Sequence, residues 1–359
     1  MENKSDALEI MDNHCHVCFL EPIEDTIRGF EEEVKELGIS RMAVLSCPRS
    51  GHREGGAGPD LLENLKGLYL KERMRIPVYA YAGFVQHFDD SKSYVDFAEN
   101  MLEMGADGFK TLEQHPRVRK LVGKGLCDTS FDDFFDYIGK KGAPMVCHVG
   151  DPRFNWCKGT ASEAAKKLGR VYDDTFLSLD ELYGEMEEVL RKHPDVKIIL
   201  AHFYFKSDDY EGLVSLMERY PNVYLDLTPG AEMFAGFSKD IEKWRDFFLR
   251  YSKRIILGSD LYGAGYGVSR HKLVRRYLET SEPFVEEESQ ETVIPMHLPR
   301  EVLKDIYAEN AIRVSSPEPK PVNREKAYAS CCDIAENHWD KLNEIERQNL
   351  KSFMEFWKR

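Results

Sequence analysis

The sequence lacks several signatures that would point to a class of function. It has no basic excess: Lys plus Arg number 49 against 63 Asp plus Glu, a net charge of −14. That balance argues against nucleic acid and against anionic lipid as partners, since both are bound through clustered positive charge. No apolar run approaches the roughly 18 residues that a membrane span needs. There is no P-loop, and the one glycine cluster behind a strand-like run, Gly263-Ala-Gly265-Tyr-Gly267, lacks the dinucleotide fingerprint. The eight cysteines are scattered along 359 residues, which fits reduced thiols better than a disulfide framework. The opening residues, MENKSDALEI, show no signal-peptide pattern. The expectation is therefore a cytoplasmic protein acting on a small molecule, with homo-oligomerisation left open.

What is present is a rhythm. Short apolar runs at Leu8–Met11, Met42–Leu45, Ile76–Tyr81, Gly105–Phe109, Pro144–Cys147, Val196–Leu200, Val223–Leu227 and Ile255–Leu257 read as buried parallel strands. Amphipathic stretches at Thr26–Leu37, Asp60–Arg73, Tyr94–Met104, Phe131–Lys140, Asp180–Lys192, Tyr210–Tyr220 and Ile241–Tyr251 read as helices, and an eighth fits Glu301–Tyr307. Ser178-Leu-Asp-Glu181 is a capping box ahead of the fifth. The pattern predicts an α/β fold, a (β/α)8 TIM barrel over residues 1–315. A C-terminal helical tail over residues 316–359, behind a proline-rich linker, is expected to pack on it. Two connections, Gly150 to about Leu179 and Leu261 to about Leu298, are long enough to be functional loops.

The strand ends carry the chemistry. The first ends Asp12-Asn13-His14-Cys15-His16, the fourth reaches Lys110, the fifth His148, the sixth His202 and the eighth Asp260. In a TIM barrel these ends converge on one mouth, where active sites lie. His14 and His16, two apart on an extended chain, share a face and can reach one cation. A third imidazole and a carboxylate would complete an open mononuclear site suited to zinc, with iron or manganese as alternatives. Cys15 and Cys18 form a C-x-x-C, but it overlaps the His-x-His, which makes a redox role improbable. His52, His87, His115, His193, His271, His297 and His338 lack strand-end context and read as surface or loop residues.

Taken together, Asp12–His16, Gly108-Phe-Lys-Thr111, Cys147-His-Val-Gly-Asp-Pro152, Ile199-Leu-Ala-His202, Leu225-Asp-Leu-Thr-Pro229, Gly258-Ser-Asp260 and Tyr307-Ala-Glu-Asn-Ala311 resemble the amidohydrolase superfamily. Within it, the amidohydrolase-2 group that includes aminocarboxymuconate-semialdehyde decarboxylase is the nearest likeness. The resemblance implies His14, His16 and His148 as metal ligands, Asp260 as ligand or base, and His202 as ligand or substrate-polarising group. It implies one divalent transition metal, Zn2+ rather than Mn2+ or Fe2+. Binuclear members of the superfamily carry a bridging carboxylated lysine at the place of Lys110. Unmodified, Lys110 would hold a substrate carboxylate. Arg153 is a second candidate for an anionic substrate, as are Arg49 and Arg53, and Glu113 is a candidate supporting carboxylate. The implied activity is metal-dependent hydrolysis of a C–N or C–O bond in a small, carboxylated molecule by metal-activated water. Non-oxidative decarboxylation at the same site is the alternative, with a non-catalytic metal-binding barrel behind it.

Overall fold

The computed structural model describes residues 7–17, 21–47, 61–84, 93–230, 232–287 and 290–358. Eight strands pair in sequence order, every pair parallel: β1 (Met11–Cys15), β2 (Arg41–Leu45), β3 (Val78–Gly83), β4 (Gly108–Gln114), β5 (Met145–Val149), β6 (Ile198–Leu200), β7 (Val223–Asp226) and β8 (Ile255–Ile256). The ring closes just beyond β8. Asn13 N–H donates to the Leu257 carbonyl at 3.0 Å, His16 N–H to Leu261 at 2.7 Å, and Asp260 N–H to His14 at 2.9 Å. This is the TIM barrel that the periodicity predicts.

Two strands sit later than their apolar runs suggest. β1 begins where the apolar run Leu8–Met11 ends, because Asp12, Asn13 and His14 are fully buried strand residues. β4 starts at Gly108 and continues through Gln114. Gly105 instead ends the preceding helix with φ 113°, and its N–H returns to the Met101 and Leu102 carbonyls. A Cβ there would also lie 2.5 Å from the Pro321 carbonyl oxygen, so glycine is required twice over.

Helices Ile23–Leu37, Leu61–Arg73, Tyr94–Met104, Asp132–Lys141, Leu179–Lys192, Tyr210–Arg219 and Ile241–Arg250 alternate with the strands. The Ser178–Glu181 capping box forms as expected. The eighth outer helix differs from expectation. It is Val268–Glu279, inside the connection expected to be loop, and it packs on Ile23–Leu37. The same connection holds a small hairpin, Phe284–Val285 against Thr292–Val293. The helix expected at Glu301–Tyr307 is part of a longer helical segment, Arg300–Val314, with a wide turn at Asp305–Glu309. It lies beneath the barrel, where Ala308, Ala311 and Val314 pack on Met11, Tyr79, Val146, Ile199 and Ile256. Asn310 Nδ2 fastens it by donating to the carbonyls of Ser252 (2.6 Å) and Ile255 (2.7 Å). Small apolar residues suit a barrel floor better than an outer ring, which explains the displacement.

After that floor come helices Arg324–Asn337 and Glu344–Trp357, packed on each other and on Leu61–Arg73. Tyr69 stacks 4.7 Å from Phe353, and Trp357 Nε1 donates to Glu72 at 2.7 Å.

Candidate active site

His14 and His16 are aimed by their Nδ1 atoms. His14 Nδ1 donates to Asp226 Oδ2 at 2.7 Å, and His16 Nδ1 to the Leu45 carbonyl at 2.9 Å. Carboxylates and carbonyls accept only, so both protons sit on Nδ1 and both Nε2 atoms carry lone pairs. These Nε2 atoms are 3.2 Å apart, and Asp260 Oδ1 lies 3.5 Å from each. When both rings are neutral, two buried imidazole nitrogens and a partly buried carboxylate oxygen thus converge as electron-pair donors. Their spacing matches the edge of about 3.4 Å that ligands at about 2.1 Å from a tetrahedral cation would show. The His14, His16 and Asp260 group therefore fits a divalent metal.

Neighbouring strands fix this geometry. Asp226, at the end of β7, also accepts from the His202 N–H at 2.8 Å and the Thr228 N–H at 3.1 Å. His14 heads the groups that outweigh its burial and hold it at about 2. Asp12 Oδ1 takes the His14 N–H at 3.1 Å, and its Oδ2 takes the Ser259 hydroxyl and His271 Nδ1. Asp260 has φ 60°, and its Oδ2 accepts from Arg270 Nη1 at 3.1 Å. Gly258 lets β8 approach, since a Cβ there would meet Thr228 Oγ1 at 2.4 Å and His14 Cβ at 2.8 Å. Burial, with Lys110 next, lowers the His14 pKa. At His16, Cys47 and Asp260 outweigh burial and raise it to about 10, so without metal a proton occupies the cluster.

His148 and His202 stand beside this triad but bond to each other. His202 Nδ1 faces the Thr228 carbonyl at 3.3 Å, and its Nε2 lies 3.1 Å from His148 Nδ1. The carbonyl fixes the His202 proton on Nδ1, so His148 Nδ1 is the donor between the rings. His148 Nε2 is left unprotonated, 3.7 Å from Asp151 Oδ1. Burial lowers His148 to about 3 and His202 to about 4, so both rings are neutral. His202, Phe203, Tyr204 and Phe205 all have left-handed φ (56, 51, 59 and 49°), a strained run of the kind concentrated at functional sites. Phe203 stacks 5.5 Å from Phe248 in the core, and Phe205 stacks 5.0 Å from His202.

A second buried group, His115, His148 and Asp151, has comparable spacing. Here His115 Nδ1 accepts from the Arg117 N–H at 3.3 Å, so its proton is on Nε2, facing Asp151 Oδ2 at 3.5 Å. Tyr172 donates its hydroxyl to the same carboxylate. Against burial, His115 and His148 hold Asp151 well below the carboxylate range. This is a hydrogen-bonded anion with donors around it.

One cavity of about 380 Å³ joins these parts, lined by His14, His16, His148, His202 and Asp260 and also by Lys110, His115, Arg117 and Arg170. Lys110 Nζ is buried without a hydrogen-bond partner among the described residues. Glu113, buried in β4, is not among the lining residues and accepts from Thr111 and the Leu112 N–H. Arg153 does not line the cavity either: its side chain is 58% exposed and pairs with Asp180 at 3.0 Å. Arg49, Arg53 and Cys18 lie outside the described residues. Three histidines expected at the surface are buried: His115, His271 on Asp12, and His193 between Asp132 and Asp136. Asp12, Asp226, His115, Asp151, Arg117 and Arg170 carried no assigned role in the sequence. Asp226 and Asp12 had the signal of strand ends already rich in polar groups.

The sequence matches the family described as Amidohydrolase over residues 75–314, a span that begins after the His-x-His pair. No curated protein matches. Among solved structures, a 2,6-dihydroxybenzoate decarboxylase from Rhizobium is 13% identical with a TM-score of 0.53, over 86% of this chain and 98% of that one. A probable 2-pyrone-4,6-dicarboxylic acid hydrolase from Acinetobacter baumannii is 10% identical, TM-score 0.53, over 86% and 99%. A 4-oxalomesaconate hydratase from Rhodopseudomonas palustris is 12% identical, TM-score 0.52, over 91% and 99%. At these identities the likeness is one of fold.

Proposed function

The chain belongs to the amidohydrolase family, metal-dependent enzymes of hydrolase or decarboxylase type, and on that premise we propose that it hydrolyses a C–N or C–O bond in a small carboxylated molecule. The observation that carries this reading is the convergence of His14 Nε2, His16 Nε2 and Asp260 Oδ1. We assign the metal to these three atoms, with one ion and zinc as its identity, since two imidazoles and a carboxylate suit zinc and leave a position open. In the His115, His148 and Asp151 group, His115 Nε2 carries a proton toward Asp151, and no second ion is assigned there.

When bound, the cation supplies Lewis acidity to an oxygen of water or substrate. The protein supplies the rest. Asp260 acts as a ligand, because one oxygen faces the histidines and the other is held by Arg270. The proton lost by attacking water goes to His148 Nε2, the unprotonated atom of a ring that lines the cavity, and Asp151 steadies the imidazolium formed. His202 orients that ring through its Nε2. Lys110 Nζ, buried and without a partner among the described residues, binds a substrate carboxylate.

Decarboxylation is the second reading. The observation favouring it is the same His148–His202 pair, because His148 Nε2 can take a proton from water and pass it to the carbon that has lost carbon dioxide. The test is metal analysis of the purified protein followed by a panel of amides, lactones and carboxylic acids. One equivalent of metal with hydrolysis lost in His148→Ala supports the proposal. Carbon dioxide release without hydrolysis selects the second reading, and metal-free protein after growth in zinc overturns both.

A further inference from the structure

The cavity is more positive at its far end than the hydrolytic reading requires. Arg117 opens the helix Pro116–Val122 directly after β4, and its guanidinium donates to the Leu168 carbonyl at 3.3 Å. Arg170 lies in the long connection after β5, its N–H bonded to Ala165 at 2.8 Å. Among the described residues no carboxylate pairs with the Arg170 guanidinium. The nearby carboxylate, Asp151, is buried, accepts the Tyr172 hydroxyl and faces His115 Nε2. Among the described residues, two guanidiniums therefore line a concave pocket with no carboxylate in ion-pair contact, and Asp151 acts on Arg170 only at longer range.

Their place differs from that of Lys110. Lys110 stands within β4 with its Nζ buried. Arg117 lies past the end of that strand, in the helix Pro116–Val122, and Arg170 lies in the connection after β5, both half-buried on the cavity wall. The pocket thus has two separate cationic stations. A substrate with one anionic group satisfies one of them. A substrate with two satisfies both, and the planar forks of Arg suit a carboxylate at the outer one.

We infer that the substrate is a dianion, its second anionic group held by Arg117 and Arg170 away from the triad. The inference rests on the active-site reading above, but it is tested separately. The metal-loaded full-length protein is titrated calorimetrically with succinate, glutarate and isophthalate, each against its own monomethyl ester. At least one dianion should bind about tenfold or more tighter than its ester, the effect of one charge-assisted contact. Arg170→Ala should erase that preference, Arg170→Lys should restore part of it, and metal content should stay unchanged in both. Arg117→Ala should act in the same direction, although it also loses the Leu168 contact. Equal binding of every dianion and its ester, or a preference that survives Arg170→Ala, overturns the inference. Repeating the titration on metal-stripped protein keeps the two readings apart: a dianion preference without bound metal upholds the outer station even if the hydrolytic proposal fails.

Discussion

His14 and Asp226 come from strands β1 and β7 and meet at 2.7 Å, Nδ1 to Oδ2, with both side chains almost wholly buried. One carboxylate thereby sets the tautomer of a candidate metal ligand and, through its other oxygen, holds the backbone of His202.

Asp226→Asn is expected to weaken metal affinity about tenfold to a hundredfold, the usual cost of losing a carboxylate that orients a ligating imidazole. The amide keeps an acceptor for the His202 and Thr228 N–H groups, so the barrel should stay folded. Competition with a chelator of known affinity measures the effect, and unchanged affinity would remove Asp226 from the site.

Metal uptake should release protons. In the metal-free protein His16 titrates at about 10, raised by Cys47 and Asp260 against its burial. Below that pH a cation must displace a proton, so affinity should climb by about a factor of ten per pH unit across neutrality. The sign for stability runs the other way. Because the folded value exceeds the ordinary 6.5, the contribution to metal-free stability is complete below pH 6.5 and disappears as pH rises to about 10. Thermal melts of stripped protein across that window, with His16→Gln as the flat control, provide the check.

Gly258→Ala should cost about 1–3 kcal/mol in denaturant unfolding, the range for overpacking a tight site. The new methyl would lie 2.8 Å from His14 Cβ. The triad should spread, and metal content should fall more than secondary structure does. A variant that keeps its full metal complement would show that β8 can move aside.

Glu33 accepts the N–H groups of Gly263 (3.2 Å) and Gly265 (2.7 Å) while its pKa is raised to about 7 by burial. The folded protein then keeps a proton that the unfolded chain has released at about 4.5. Stability from this group is present at low pH and declines between about 4.5 and 7. Urea unfolding of the wild type and Glu33→Gln over that range should show the slope in the first and lose it in the second.

Much of the barrel was legible because buried parallel strands are apolar on both faces, and their rhythm survives without tertiary information. Its two errors of register have one cause. Asp12, Asn13 and His14, and Lys110, Thr111, Glu113 and Gln114 of β4, are polar yet belong to strands. A polar residue is admitted to a strand core only by partners distant in sequence, as Asp226 is 212 residues from His14. The His14, His16 and Asp260 grouping was readable because the fold rule brings strand ends together. His115 was not, since its environment comes from Asp151 and Tyr172 on another connection. Arg153 misled for the same reason: position near a strand end does not say which way a loop turns.

The helical segment that seats Ala308, Ala311 and Val314 under the barrel closes that end of the chamber among the described residues and leaves the strand-end mouth for traffic. Substrate and product must share it. Turnover is therefore sequential traffic, in which each product clears the mouth before the next molecule enters, and an anchored product would act as its own inhibitor.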